Sequence, residues 1–139
     1  MSLDYFALPT FQPAWWLPGP HLQTAGARLL RRRGNIPLWR ERIELPDGDF
    51  VDLDFATDPK ILQGNGRPLV LLLHGLEGSA QSKYALEMYR ALNRHGIAGV
   101  GLNFRSCSGE LNRFARLYHS GETGDIEYVL RLLAERFPD

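Results

Sequence analysis

The chain has little cysteine, no net charge and no long apolar run. A single cysteine, Cys107, excludes an internal disulfide and a metal site built from several cysteines, and it agrees with a reducing compartment. The 16 basic and 16 acidic side chains cancel, so no overall field attracts nucleic acid or an anionic membrane. Residues 1–10 lack the pattern of a signal peptide, and no apolar run is long enough to span a bilayer. The sequence therefore predicts a cytoplasmic protein whose partners are small neutral or weakly charged molecules, without a metal.

The N-terminal region is rich in proline and aromatic residues. Residues 11–20 read Phe-Gln-Pro-Ala-Trp-Trp-Leu-Pro-Gly-Pro, which is too rich in proline for regular structure and too aromatic for a solvated tail. This arm either packs on the core of the domain or forms an aromatic flap near a substrate entrance or a lipid surface. A short helix is predicted over residues 21–30, and the basic run at residues 31–33 is predicted to be its solvated end.

Two alternating segments predict a β-hairpin over residues 39–45 and 49–56, with a Pro-Asp-Gly turn between them. In the second segment the apolar residues share one face, and Asp52 and Asp54 lie on the other. The acids at this spacing resemble metal ligands, but the same pattern is typical of any strand with one face in water. We therefore expect a half-solvated strand here.

The next segments predict a parallel βαβ unit. Residues 69–73 have no polar face, as expected of a strand covered on both sides by helices. A helix follows between Ser82 as N-cap and Gly96 as C-terminal glycine, then a second buried strand over residues 97–104 and a last helix over residues 122–137. The ligand site of such a unit lies beyond the carboxyl ends of its strands. Helical spacing predicts inward positions at Ala85, Met88, Tyr89, Leu92, Ile126, Val129, Leu130 and Leu133.

Three segments resemble the YheT-like group of the α/β-hydrolase superfamily. They are His-Leu-Gln-Thr at residues 21–24, His-Gly-Leu-Glu-Gly at 74–78, and residues 103–110 continuing into 118–123. The resemblance implies an α/β fold that is the N-terminal half of an α/β-hydrolase sheet: an antiparallel hairpin, a parallel βαβ unit and a further helix. Residues 1–38 would be a proline/aromatic arm with a short helix, and residues 39–139 a partial hydrolase domain.

The resemblance also implies a serine hydrolase that acts on carboxylic esters, with lipid or short-chain acyl groups, and that uses no cofactor. The backbone N–H of Leu76 would donate one hydrogen bond to the oxyanion, while His74 and Gly75 shape the loop. His74 would brace this loop rather than transfer protons. The implied pocket residues are Glu77, Gly78, Arg105, Cys107 and His119.

The nucleophile expected of this family is absent from these residues. No Gly-x-Ser-x-Gly segment occurs, and the resemblance implies that the Ser-Asp-His triad lies beyond Asp139, so we expect a fragment that is inactive alone. Ser82 and Ser120 suit helix starts, and Asp125 suits the first turn of a helix. The alternative is a catalytic triad within these residues, formed by Ser79, Ser82 or Ser108 with His119 and Asp125. The helix-start roles above make this triad the less favoured interpretation.

The resemblance has two structural consequences. Ser106 stands where the family pattern has glycine, so a positive φ at this position would lower stability or distort the loop. The strand at residues 69–73 would also lack the nucleophile strand beside it, which leaves an apolar edge prone to aggregation or self-association. Two function classes stay open: part of a YheT-like esterase completed by a C-terminal half, or a non-catalytic hydrolase scaffold that binds a partner or itself.

Overall fold

The computed structural model describes residue 10 and residues 12–30, 35–64 and 66–138. Every helix and strand predicted from the sequence is present, with ends that differ by no more than two residues. The basic run at residues 31–33 lies outside the described residues. In chain order the elements are α1 (Pro20–Leu30), β1 (Trp39–Glu44), β2 (Phe50–Phe55), a 3-10 turn (Pro59–Ile61), β3 (Leu69–Leu73), α2 (Lys83–Arg94), β4 (Ala98–Asn103) and α3 (Gly124–Arg136).

The chain divides into two compact units, residues 1–32 and 33–139. In the first unit the side-chain amide of Gln23 on α1 donates to the carbonyl oxygen of Leu17 at 3.2 Å, and the hydroxyl of Thr24 donates to that of Pro20 at 2.9 Å. The boundary expected after residue 38 stays a prediction. The choice between a packed arm and a flap also stays open.

The second unit contains one four-stranded mixed sheet in the order β1-β2-β4-β3. β1 and β2 form the predicted antiparallel hairpin, and Gly48 in its turn has φ 82°. β2 pairs antiparallel with β4, and β4 pairs parallel with β3. The predicted βαβ unit is therefore confirmed, and the fold is the α/β arrangement expected of a partial α/β-hydrolase.

Glycines in β4 allow α2 to pack closely on the sheet. A Cβ added at Gly101 would lie 2.0 Å from the hydroxyl oxygen of Tyr89 and 2.6 Å from the Cβ of Ala80. Tyr89 itself is fully buried. Two residues predicted to face inward are exposed instead, Met88 at 46% and Leu130 at 49%, because each lies at the border of its helix's buried face.

The prediction of a half-solvated β2 is wrong, since all six of its residues are buried. The strand register places Arg40 opposite Asp54 and Arg42 opposite Asp52. Each arginine forms two hydrogen bonds with its aspartate, at 2.7 and 2.8 Å for Arg40 and at 2.9 and 3.1 Å for Arg42. The guanidinium groups thus cover the face that the sequence pattern assigned to water.

The prediction that β3 is covered on both sides is also wrong for the described residues. Val70 is 36% exposed and Leu73 is 41% exposed. Among the described residues β3 pairs with β4 alone, so its other edge carries unpaired backbone groups. An apolar cleft of about 310 Å³ lies beside it, lined by Leu69, Leu71, Leu130, Leu133, Ala134, Phe137 and Pro138.

We expect the ion pair of the buried Asp52 with the partly exposed Arg42 to make stability depend on pH. Burial raises the pKa of Asp52, but the hydrogen bonds and charge of Arg42 outweigh it and hold the pKa below its ordinary value. A carboxylate with a lowered pKa stabilises the fold above its unfolded pKa of about 4, and that stabilisation is lost as the pH falls through the folded pKa. Asp52→Asn should therefore be less stable than the wild type at pH 7, and the difference should shrink towards pH 3.

Urea unfolding followed by circular dichroism at pH 7, 5 and 3 checks this expectation. Glu135→Gln is the matched control, because Glu135 is an exposed acid on α3 whose carboxylate forms no hydrogen bond with any described residue. A constant difference between Asp52→Asn and wild type across the three pH values would contradict the assignment.

Candidate functional site

The loop that follows β3 is a tight turn at the carboxyl edge of the sheet. The N–H of Gly78 donates to the carbonyl oxygen of Gly75 at 2.9 Å, which closes a four-residue turn. Glu77 has a positive φ of 52° inside this turn. A Cβ added at Gly78 would lie 3.0 Å from the Gly75 oxygen and 3.2 Å from the Cβ of His74. A side chain at position 78 would therefore be crowded by the turn and by His74.

His74 joins this turn to the end of β4 through both ring nitrogens. Its Nε2 accepts from the N–H of Phe104 at 3.2 Å, so the ring proton is assigned to Nδ1, which lies 2.7 Å from the carbonyl oxygen of Gly75. The buried ring also contacts the ring of Phe104 edge-on at 5.0 Å. Because both nitrogens are engaged, this geometry supports a bracing role and offers no free nitrogen for proton transfer.

The amide groups of the turn are satisfied with one exception. The N–H of Gly75 donates to the hydroxyl of Tyr84 at 3.1 Å, and the N–H of Glu77 donates to the hydroxyl of Tyr118 at 2.8 Å. The N–H of Leu76 has no acceptor among the described residues. In a planar trans peptide this N–H points opposite to the Gly75 carbonyl, which the ring of His74 and the N–H of Gly78 hold in place.

Two cavities adjoin the turn and divide the pocket residues implied by the sequence. A cleft of about 560 Å³ is bordered by Leu76 and brings together Glu77, Gly78, Arg105 and Cys107. His119 lines a separate cavity of about 290 Å³, which it shares with His74 and Gly75. Tyr118 and Leu76 border both cavities.

Arg105 borders the cleft, but its guanidinium is engaged with carboxylates. The side chain is buried and forms two hydrogen bonds with Asp125, at 2.7 and 2.8 Å. It also lies 3.0 Å from Asp49 and 2.8 Å from Asp47. These partners raise the pKa of Arg105 above its ordinary value, with the Asp125 hydrogen bond as the largest cause. Arg105 therefore connects the border of the cleft to the start of β2 and to α3.

The internal triad finds no support among the described residues. Asp125 is paired with Arg105 in the first turn of α3, as its sequence position suggested. The Nδ1 of His119 accepts from the N–H of Gly121 at 3.1 Å and contacts no serine hydroxyl. Ser82 is the N-cap residue of α2 as predicted, whereas α3 begins after Thr123, so the assignment of Ser120 to a helix start is wrong.

Cys107 is half-buried beside Tyr118 in the cleft. Burial raises the pKa of its thiol, and a hydrogen bond with Tyr118 offsets only part of this rise. The thiol is therefore neutral at physiological pH, where a reactive cysteine would be a thiolate.

The structure adds three residues that the sequence did not single out. Tyr84 and Tyr118 hold the turn at residues 74–78, and Asn112 holds the next loop by hydrogen bonds with Ser106. Tyr118 was part of the segment that carried the resemblance, whereas neither Tyr84 nor Asn112 had a sequence signal. In the part of the chain that the structure describes, no group of three or more His, Cys, Asp or Glu side chains could hold a metal ion.

Ser106 has a positive φ of 63°, the condition under which serine in place of glycine was expected to lower stability or distort the loop. Its hydroxyl accepts from the N–H of Asn112 at 3.2 Å, so the side chain contributes a contact as well as strain. Ser106→Gly and Ser106→Ala both remove this contact, but only alanine keeps a Cβ in the left-handed region. We expect Ser106→Gly to be the more stable of the two by about 1 kcal/mol. Equal urea midpoints for the two variants would contradict this strain.

Comparison with known proteins identifies relatives along nearly the whole chain, although no family model and no solved structure matches it. YheT of Escherichia coli, a protein assigned as an esterase, is 47% identical over 134 residues, which cover 96% of this chain and 39% of that protein. Human phospholipase ABHD3 is 26% identical over 93% of this chain and 32% of its own length. Monoacylglycerol lipase of Saccharomyces cerevisiae is 29% identical over 59% of this chain and 18% of its own length.

The chain thus spans about two fifths of the length of YheT and a smaller share of the other two relatives. None of the helices within residues 12–30, 35–64 and 66–138 is long and apolar enough to cross a membrane, and the cytoplasmic location stays a prediction. The three relatives are named for ester or lipid hydrolysis, and the mixed sheet with its βαβ unit agrees with their common class. The comparisons and the fold thus point to the α/β-hydrolase superfamily.

Proposed function

We propose that these residues supply the oxyanion-binding loop of a carboxylic ester hydrolase that acts on lipid or short-chain acyl esters. The observation that carries the proposal is the free N–H of Leu76, in a turn whose neighbouring amides are all occupied. A donor held in a fixed direction before the reaction begins is what stabilises a developing oxyanion.

The chemistry assigned to this loop is limited to one hydrogen bond. When a serine oxygen attacks the ester carbonyl, the carbonyl oxygen gains negative charge, and the N–H of Leu76 would donate to it. In this fold the second donor is the N–H that follows the nucleophile. The nucleophile, its histidine and its acid are proposed to lie outside the 139 residues.

The surroundings of Leu76 support an ester with an apolar acyl group. Leu76 is 86% exposed and Leu117 is 66% exposed, and both border the cleft of about 560 Å³. Apolar side chains that stand in water beside a cleft favour an apolar ligand, because contact with it removes their surface from water. The names of the phospholipase and the monoacylglycerol lipase among the relatives agree with such a substrate.

Leu76→Pro tests this function because proline removes the backbone N–H. Residue 76 is the second residue of the turn, where proline is favoured, so the turn should persist. The variant is made in a chimera in which residues 1–139 replace the matching segment of E. coli YheT. We expect Leu76→Pro to lower kcat for p-nitrophenyl esters by about 100-fold to 1,000-fold.

Leu76→Ala in the same chimera is the matched control, because it shortens the side chain and keeps the N–H. It should retain kcat within about tenfold, since only contact with the acyl group is lost. Equal activity of the proline and alanine variants would rule out this donor. A chimera without activity on esters that YheT itself hydrolyses would contradict the competence of the loop.

The exposed edge of β3 favours a second candidate function, a non-catalytic scaffold that self-associates. An apolar strand with unpaired backbone groups is a template for pairing with another strand. Val70 and Leu73, exposed at 36% and 41%, lie on this strand. The occupant proposed for this edge is a second copy of the chain.

Val70→Lys tests the second candidate, because a charge on an edge strand opposes strand pairing. We expect the 139-residue chain to form dimers or larger species, and Val70→Lys to shift them towards the monomer of 15.8 kDa in light scattering. Met88→Lys is the control, since Met88 is 46% exposed on α2. A monomeric wild-type chain would remove the basis of this candidate.

A further inference from the structure

Two tyrosine hydroxyls hold the turn at residues 74–78 from different elements. Tyr84 belongs to the first turn of α2, and Tyr118 lies in the segment that precedes α3. Their hydroxyl oxygens accept from the N–H of Gly75 at 3.1 Å and from the N–H of Glu77 at 2.8 Å. The two contacts lie on either side of the one free amide.

These contacts fix the peptide planes that flank the donor. The N–H of Gly75 belongs to the peptide before the one that carries the Leu76 N–H, and the N–H of Glu77 belongs to the peptide after it. Because each peptide is planar, holding its N–H restricts rotation of the whole unit. The middle peptide can then turn only by straining its neighbours, so its N–H keeps one direction.

The hydroxyl of Tyr118 is itself held firmly. Its ring is stacked on Phe104 with centroids 5.0 Å apart and planes 5° apart, and it meets His74 edge-on at 5.7 Å. The hydroxyl also hydrogen-bonds the thiol of Cys107. Burial raises the pKa of Tyr118, so the phenol stays neutral at physiological pH and can accept from Glu77.

Tyr84 is held less tightly than Tyr118. Its side chain is 41% exposed, and no aromatic stacking contact involves its ring among the described residues. Its hydroxyl lies 3.1 Å from the nitrogen of Gly75, against 2.8 Å for the corresponding contact of Tyr118. Its removal should therefore disturb the turn less than removal of the Tyr118 hydroxyl.

We infer that Tyr84 and Tyr118 are positioning residues that direct the N–H of Leu76 at the oxyanion, a role that rests on the proposed function. The oxyanion exists only in the transition state and the intermediate. Loss of either hydroxyl should therefore lower kcat and leave KM unchanged. Loss of a side chain that served only to keep the protein folded would not lower kcat selectively while KM stayed unchanged.

The kinetic test uses Tyr118→Phe and Tyr84→Phe in the YheT chimera. We expect kcat to fall about tenfold for Tyr118→Phe and about threefold for Tyr84→Phe, with KM within about twofold of wild type. Tyr128→Phe on α3 is the matched control and should leave both constants unchanged, because the hydroxyl of the half-buried Tyr128 forms no hydrogen bond with any described residue. Wild-type kcat in Tyr118→Phe would overturn the inference.

A double variant separates positioning from general damage. In a Leu76→Pro background the donor is already gone, so Tyr118→Phe should lower kcat by less than about twofold further. A full additional tenfold loss would overturn the positioning role. Failure of the proposed function would give a different result, namely the same kcat for Leu76→Pro and Leu76→Ala.

Amide hydrogen exchange in the 139-residue chain gives a readout that needs no catalysis. In Tyr118→Phe the amide of Glu77 loses its acceptor, so we expect its exchange to become at least about tenfold faster, while the amides of β4 stay unchanged. Unchanged exchange at Glu77 would overturn the inference, whatever the activity of the chimera.

Discussion

The site depends on the two hydrogen bonds that the carbonyl oxygen of Gly75 accepts. The ring of His74 and the N–H of Gly78 lie 2.7 and 2.9 Å from this oxygen, and through the planar peptide they set the direction of the Leu76 N–H. His74 can do this because its other nitrogen is fixed by the N–H of Phe104. The orientation of one exposed amide is thus tied to the end of β4, which is the best-buried strand of the sheet together with β2.

The rigidity around this turn comes from buried charge as well as from packing. Arg105 lies two residues after the end of β4 and joins Asp49, before β2, to Asp125 on α3. Burial raises the pKa of Asp49, but hydrogen bonds led by Asn112 outweigh it and hold the pKa below its ordinary value. A buried ion pair of this kind adds little net stability compared with apolar packing, but breaking it is costly. Its contribution here is to hold the ends of three segments in one arrangement, on which the cleft beside Leu76 is built.

The sequence predicts the elements well, and it fails where contacts depend on strand register. The hairpin, the βαβ unit and the last helix follow from hydrophobic period and turn residues, which are local signals. The burial of Asp52 and Asp54 does not follow from them, because it depends on Arg42 and Arg40 standing directly opposite in β1. The same limit applies to the site. A motif indicates the free donor at Leu76, but Tyr118 reaches Glu77 across 41 positions of the chain, and a local pattern carries no information on that contact.

The amide of Leu76 can lack a protein acceptor without a large cost in stability. A buried N–H without an acceptor costs about 1–3 kcal/mol, but Leu76 is 86% exposed and so lies at the surface of the protein. In the proposed role, a substrate that covers the cleft would meet a donor that is already aligned, at little cost in reorganisation. The neighbouring amides of Gly75 and Glu77 are satisfied by protein hydroxyls, so they do not compete for the same oxygen. The turn therefore offers a single directed donor, which is what the proposed oxyanion-binding role requires.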